Sequence, residues 1–318
     1  MQIVGVYVGL DLVGDGLIKL PFVRALRRAF PEAELIWIAG DGRSAYAGAL
    51  APLMPGLLDR VLEETGTGAA LRRALGRRLD LLIDTQAHVG TTLALRLLRP
   101  RRFVSSAAGY WLSDRRPRGE RPRRPRPRRV VDRLLGLLEL ATGQKPDASG
   151  AVELPEAARA QAASLLPGEA RRVALVLGAG GRHKAWPLVR HIELALALAA
   201  QGIQPVAIAG PAEADLIDEF RAAVPGAAMP LQAIPPAGPA LTIALAARCE
   251  AGVAGDCGGG HMLAAADIKL VSLFGPTSPE KFAPWCTSNI ILRAQDYGAD
   301  SMDAIPIAPV LAALIPSA

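Results

Sequence analysis

The sequence predicts an α/β protein made of two successive halves, each a parallel sheet wrapped by helices. Three observations carry this prediction. Short apolar runs alternate with longer segments of helical spacing. The alternation stops over residues 142–150 and then begins again. In the second half, two glycine-rich turns, Gly178-Ala-Gly-Gly-Arg-His-Lys184 and Asp256-Cys-Gly-Gly-Gly-His261, each follow an apolar run.

Residues 3–8 form an unbroken apolar run, the pattern of a strand buried on both faces. Residues 14–16 read as a turn. Residues 17–30 have helical spacing, with basic residues late in the segment where the helix dipole favours them. Strands follow at 34–39, 57–62, 79–84 and 102–105, with a helix at 91–98. Residues 115–129 then hold nine arginines and four prolines. Proline lacks an N–H and like charges repel, so an exposed, extended loop is expected there. A helix resumes over 130–141. Residues 142–150 contain Gly, Pro, Asp and Ser without periodicity and read as a boundary.

The second half has strands at 172–177, 205–209, 252–254 and 269–274. Its helices fall at 187–201 (with a proline in the first turn), 212–223, 241–248 and 262–266. A terminal helix is expected over 309–315, packing back on the first half. The whole pattern implies twin Rossmann-like domains, 1–150 and 151–318, facing a cleft.

Composition narrows the function. The chain has 318 residues, 51% of them hydrophobic, enough for two cores. Its net charge of +6 is concentrated in 115–129, and no aromatics interleave those arginines for base stacking, which argues against nucleic-acid binding. Three cysteines without paired spacing argue against a disulfide framework and a zinc site. The first residues lack the basic and apolar regions of a signal peptide. No apolar run reaches the roughly 18–20 residues that span a bilayer. The expected location is the cytoplasm, either free or peripheral on the inner face of the cytoplasmic membrane.

Several residues carry candidate chemistry. Glycines at a helix N-terminus expose N–H groups that attract phosphate, so the two glycine-rich turns suggest a nucleotide diphosphate held between them. Asp15 follows the first strand, where open α/β sheets bind ligands. It reads either as a helix cap or as a base for an attacking hydroxyl. Asp11 either joins it as a second acid or is solvated. Lys184 ends the first glycine turn and reads as a phosphate contact or a surface lysine. Arg182 is a weaker candidate for phosphate and reads as solvated; His183 and His261 can donate to phosphate. Glu213 reads as a ribose acceptor or a first-turn glutamate. Cys257 reads as a buried thiol rather than a nucleophile. No histidine pair has metal-ligand spacing, and no Asp-x-Asp pair stands where a metal–diphosphate bridge needs one.

Taken in order, these segments resemble glycosyltransferase family 9, the ADP-heptose:lipopolysaccharide heptosyltransferase family. The carriers are Gly14-Asp15-Gly-Leu-Ile-Lys-Leu-Pro21, Arg24-Ala-Leu-Arg-Arg-Ala-Phe-Pro31, Ile83-Asp-Thr-Gln86 and Val131-Asp-Arg-Leu-Leu135. They continue with Gly178-Ala-Gly, Lys184-Ala-Trp-Pro187, Ala209-Gly-Pro-Ala-Glu213, the segment 256–266 and Leu273-Phe-Gly-Pro-Thr-Ser-Pro279. The resemblance implies a GT-B fold and an inverting, metal-independent sugar transfer with no cofactor. The first half would take the acceptor and the second the donor. By position, Asp15 matches the general base, Lys184 a diphosphate-binding lysine, Glu213 an acid near the nucleoside and Asp256 a donor-sugar contact. Gly180 and Gly181 lie on the first phosphate turn; Cys257, Gly258 and His261 lie on the second. Cys257 stands where the family commonly has threonine, and Gly180 where it often has a hydroxyl residue.

The function expected is transfer of a sugar, a heptose from an ADP-linked donor, onto a lipopolysaccharide core or related glycan. Arg121, Arg123, Arg124 and Arg126 would meet an anionic acceptor or membrane. Two alternatives stay open: a nucleotide-sugar-binding protein that has lost transfer, and a nucleotide-sugar epimerase.

Overall fold

A computed structural model describes residues 1–117, 129–210, 213–234 and 237–315. Arg121, Arg123, Arg124 and Arg126 lie outside the described residues. The chain divides into two compact units, Met1–Ser149 and Gly150–Ala318.

The first unit runs β1 (Ile3–Val8), α1 (Val13–Ala29), β2 (Glu34–Ala39), β3 (Arg60–Glu63), α2 (Ala69–Leu75), β4 (Leu81–Asp84), α3 (Val89–Arg96), β5 (Arg102–Ser105) and α4 (Val130–Thr142). All five strands are parallel, in the order β3-β2-β1-β4-β5. β1, β2 and β4 are buried along their whole length, which is why they read as continuous apolar runs. Trp37 packs between Phe22 and Tyr46, with ring centroids 6.3 and 5.1 Å away.

The second unit runs α5 (Glu156–Leu165), β6 (Arg172–Val176), α6 (Leu188–Ala199), β7 (Gln204–Ile208), α7 (Ala214–Ala223), α8 (Pro239–Ala246), β8 (Ala251–Gly255), α9 (Gly258–Ala265), β9 (Lys269–Phe274), α10 (Pro279–Phe282), β10 (Asn289–Arg293) and α11 (Ile307–Leu314). Its strands are again parallel, in the order β10-β9-β8-β6-β7. The terminal helix, read above as returning to the first half, lies in the second unit's own core. It packs on α6, β8 and β9 and buries Val310 and Leu314.

Two expected turns prove to be helical. Residues 14–16 form the first turn of α1, which begins directly after extended Leu12. Residues 258–260 form the first turn of α9, which begins directly after extended Cys257. In both cases glycine was read as a break, although a helix N-terminus tolerates it when the preceding residue is extended. α2, α5, α10 and β10 carried too little periodicity to be read from the sequence. α5 is alanine-rich, and its small Ala158 and Ala162 let it pack closely on α8.

Both sheets reverse strand order at one point, between β1 and β4 and between β6 and β8. Loops leaving the carboxyl ends of strands on either side of such a point diverge and open a crevice.

Candidate functional site

In the second unit, the loops leaving β6 and β8 flank the reversal. The β6 loop carries residues 178–181, then a short 3-10 turn over Arg182–Lys184 closed by the Lys184 N–H donating to Gly181 O at 2.9 Å. Trp186 anchors this loop from below: its Nε1 donates to Ile305 O at 3.0 Å, and the ring is buried. The β8 loop is Asp256-Cys257, after which α9 starts. The loops approach closely, since a Cβ at residue 255 would lie 3.1 Å from Lys184 O.

An ion pair joins them. Lys184 Nζ lies 3.2 Å from Asp256 Oδ2, with both side chains largely buried. The lysine at the end of one glycine turn and the acid at the start of the other thus form one feature.

Glu213 closes a third side. Its Oε2 accepts the Gly210 N–H at 2.8 Å, which ties the loop after β7 to the start of α7. The carboxylate lies against residue 178, where any Cβ would collide with it. Gly178 therefore admits Glu213. Gly259 has a comparable role: a Cβ there would stand 2.6 Å from Val176 Cγ1, so glycine lets α9 press against the end of β6. Gly180 and Gly258 differ, because a Cβ at either would meet nothing within 4 Å.

These groups surround a cavity of about 490 Å³, lined among others by Gly178, Gly180, Glu213, Cys257 and Gly258. That volume suits a small organic ligand. One end has main-chain N–H groups and a helix N-terminus. The other is apolar, with Ile208, Leu231, Ile234 and Met262, and carries Gln232 and Thr242 as polar points. Sequence reading missed this second end. Leu231 and Gln232 come from the turn at Pro230–Gln232 and Thr242 from α8, segments with no motif of their own.

The first N–H groups of α9 have no acceptor within the helix and carry its partial positive charge. Cys257 stands at the N-cap, where a hydroxyl would accept from them. Burial pushes its thiol pKa up, and the Gly260 and Gly259 N–H groups draw it partly back down. Sulfur is a weak acceptor, so these N–H groups remain available to an anion.

The other predicted residues fall as follows. Gly181 sits at the edge of the turn, against the His183 ring. His183 is exposed, and Arg182 pairs in solvent with Asp215 at 2.8 Å. His261 is buried, outside the cavity lining, and its pKa is lowered to about 4 by burial. It is neutral at physiological pH and brings no positive charge to the site.

In the first unit, Asp15 occupies the third position of α1, exposed at the carboxyl end of β1. It makes no capping bond and has no hydrogen-bond or ion-pair partner among the described residues. Asp11 is neither a second acid beside it nor solvated. It is buried and holds Lys19 Nζ at 2.7 Å, Ser44 Oγ at 2.5 Å and Trp37 Nε1 at 3.3 Å. It anchors the loop that delivers Asp15. Asp84 is likewise structural, accepting from Thr92 Oγ1, Ser105 Oγ and the Gln86 N–H. Among the described residues, no group of three or more His, Cys, Asp or Glu is placed to hold a metal ion. Nor is any helix among them long and apolar enough to cross a membrane.

Two parallel five-stranded sheets, each with a reversal crevice and one bearing paired glycine turns around a cavity, match the GT-B fold. The sequence profile of Glycosyltransferase family 9 (heptosyltransferase) matches residues 69–304, and the chain belongs to that family. Solved structures agree on the fold. A glycosyl transferase family 9 protein from Veillonella parvula is 17% identical with a TM-score of 0.72, covering 98% of this chain and 95% of its own. The E. coli ADP-heptose LPS heptosyltransferase II is 19% identical with a TM-score of 0.67, covering 98% and 96%. The E. coli heptosyltransferase WaaC, solved with ADP, is 18% identical with a TM-score of 0.69, covering 98% of each chain. No curated protein matches the chain significantly.

Proposed function

We propose that this glycosyltransferase moves a heptose from an ADP-linked donor onto a lipopolysaccharide core or a related anionic glycan, with inversion and without a metal ion. The observation that carries the donor half of this reading is the Lys184–Asp256 pair, which links two glycine turns whose Gly180 and Gly258 line one cavity. The diphosphate lies over Gly180 and Gly258, where no side chain intrudes, and takes Lys184 as its counter-charge. The nucleoside enters the apolar end, with Glu213 accepting from ribose hydroxyls. Asp256, released from Lys184, accepts from a donor-sugar hydroxyl.

Asp15 is the general base. Its carboxylate takes the proton from the acceptor hydroxyl as that oxygen bonds the anomeric carbon. The bond from that carbon to the diphosphate oxygen breaks, and the nucleoside diphosphate departs. Lys184 and the N-terminus of α9 stabilise the negative charge that develops on the leaving group. The arginines of 115–129 supply attraction for an anionic acceptor.

A thermal-shift series with ADP, GDP and UDP and their sugar conjugates tests the donor, because a ligand that prefers the native state raises the melting point. ADP and ADP-heptose are expected to give the largest shifts. Equal shifts with all three nucleotides would remove ADP as the donor nucleotide. Transfer assayed with and without EDTA tests metal independence, and loss of activity on chelation would overturn it.

A further inference from the structure

Beyond Met1, Leu10 and Leu12, the large apolar side chains most exposed in the first unit fall on α3 and on the segment that follows β5. α3 and the residue that caps it present Val89, Leu93 and Leu97 to solvent, at 46%, 48% and 70% exposure, while Thr92 and Leu95 of the same helix are buried. Residues four apart lie on one helix face, so the three form a stripe. Arg96 borders it and ties down the following segment. Its Nη1 donates to Leu112 O at 2.9 Å and its Nη2 to Asp114 Oδ1 at 2.7 Å. This holds Trp111, 70% exposed, beside the last turn of α3.

The backbone turns tightly just before Trp111. Ala108, Gly109 and Tyr110 have φ of 47°, 63° and 69°. L residues keep that left-handed conformation only where the surroundings impose it. Arg116 lies over the Trp111 ring, 5.6 Å from its centroid. Arg99, Arg115 and Arg116, next to these segments in sequence, are exposed cations, and the neighbouring acid, Asp114, is already paired with Arg96.

An aliphatic stripe, an outward tryptophan and a rim of arginines match the chemistry of a membrane interface. We propose that this face of the first unit docks on an anionic lipid bilayer. The aliphatic side chains and Trp111 would enter the interface while the arginines pair with lipid phosphate. Charge selects this occupant over a second copy of the chain, since a two-fold contact sets the same arginines against each other. The inference concerns only the first unit, and nucleotide binding by the second would survive its failure.

Co-sedimentation of the full chain with phosphatidylcholine vesicles, with and without phosphatidylglycerol, provides the test. The parent should bind only the anionic vesicles. Leu93→Asp/Leu97→Asp should cut partitioning roughly tenfold or more, with only a small fall in melting temperature because Leu93 is half exposed and Leu97 mostly exposed. Vesicle binding should also shift tryptophan emission to the blue, and Trp111→Phe should abolish that shift, since Trp37 and Trp186 are already buried and the half-buried Trp285 belongs to the second unit. Three results would overturn the proposal: no binding of the parent to anionic vesicles, equal binding of parent and double variant, or an emission shift that survives Trp111→Phe. A concentration-dependent dimer lost in the double variant would also overturn it and give this face to a second copy.

Discussion

Lys184 and Asp256 are separated by 72 positions in sequence, yet their side chains meet at 3.2 Å. Each comes from a different glycine-rich turn, and each partly neutralises the other. An arriving diphosphate therefore competes with Asp256 for the lysine, so the two residues should respond oppositely to substitution.

Lys184→Ala should weaken ADP binding by about 10- to 100-fold, the loss of one charge-assisted hydrogen bond. Asp256→Asn should tighten binding of free ADP several-fold, because it removes a competing ion pair worth about 1 kcal/mol, while slowing sugar transfer. Isothermal titration of both variants checks this. Parallel losses of ADP affinity would show that the pair is only structural.

Asp15→Asn should lower kcat for transfer by on the order of 10²–10⁴-fold, the usual contribution of a general base. ADP affinity should not change, since Asp15 lies in the other unit from the nucleotide cavity. Unchanged turnover would remove Asp15 as the base.

The glycines should divide by what a methyl group meets. Gly178→Ala drives a Cβ into the Glu213 carboxylate and should cost both stability and nucleotide affinity. Gly258→Ala meets open space and gains up to about 1 kcal/mol of helix propensity. It should melt no lower than the parent yet bind ADP less tightly, because the methyl group enters the phosphate position. Melting curves with and without ADP separate the two cases.

Acid should destabilise the second unit through its buried histidines. Burial lowers His191 from 6.5 to about 3 and His261 from 6.5 to about 4. Between those values and 6.5 the unfolded chain binds protons that the folded chain refuses. Stability is therefore full above about pH 6.5 and falls as pH drops toward 4 and then 3, by a few kcal/mol. His191 packs edge-on to Trp186 with centroids 5.0 Å apart, and its Nδ1 has no hydrogen-bond partner among the described residues. His191→Phe preserves that packing and should flatten the fall in melting temperature between pH 7 and pH 5. An equally steep fall in the variant would move the effect elsewhere.

The sequence by itself determined the architecture. Runs such as 3–8, 35–39 and 270–274 are largely apolar on both faces, the pattern of strands in a parallel sheet covered on both sides. It also placed the glycine turns after strands, because bare backbone next to an apolar run marks a strand-to-helix junction. What it did not determine was which charged groups are free. Asp11 and Asp15 differ by four positions, yet one is buried among Lys19, Ser44 and Trp37 and the other faces water. His261 belongs to the glycine motif, yet it is sealed and neutral outside the cavity lining. The apolar end of the cavity and the stripe on α3 likewise left no motif. Periodicity is a local property, fixed by backbone geometry along one segment, so it can be read from a string of residues. Partnership and exposure depend on atoms brought together from distant segments, so only the tertiary structure decided them.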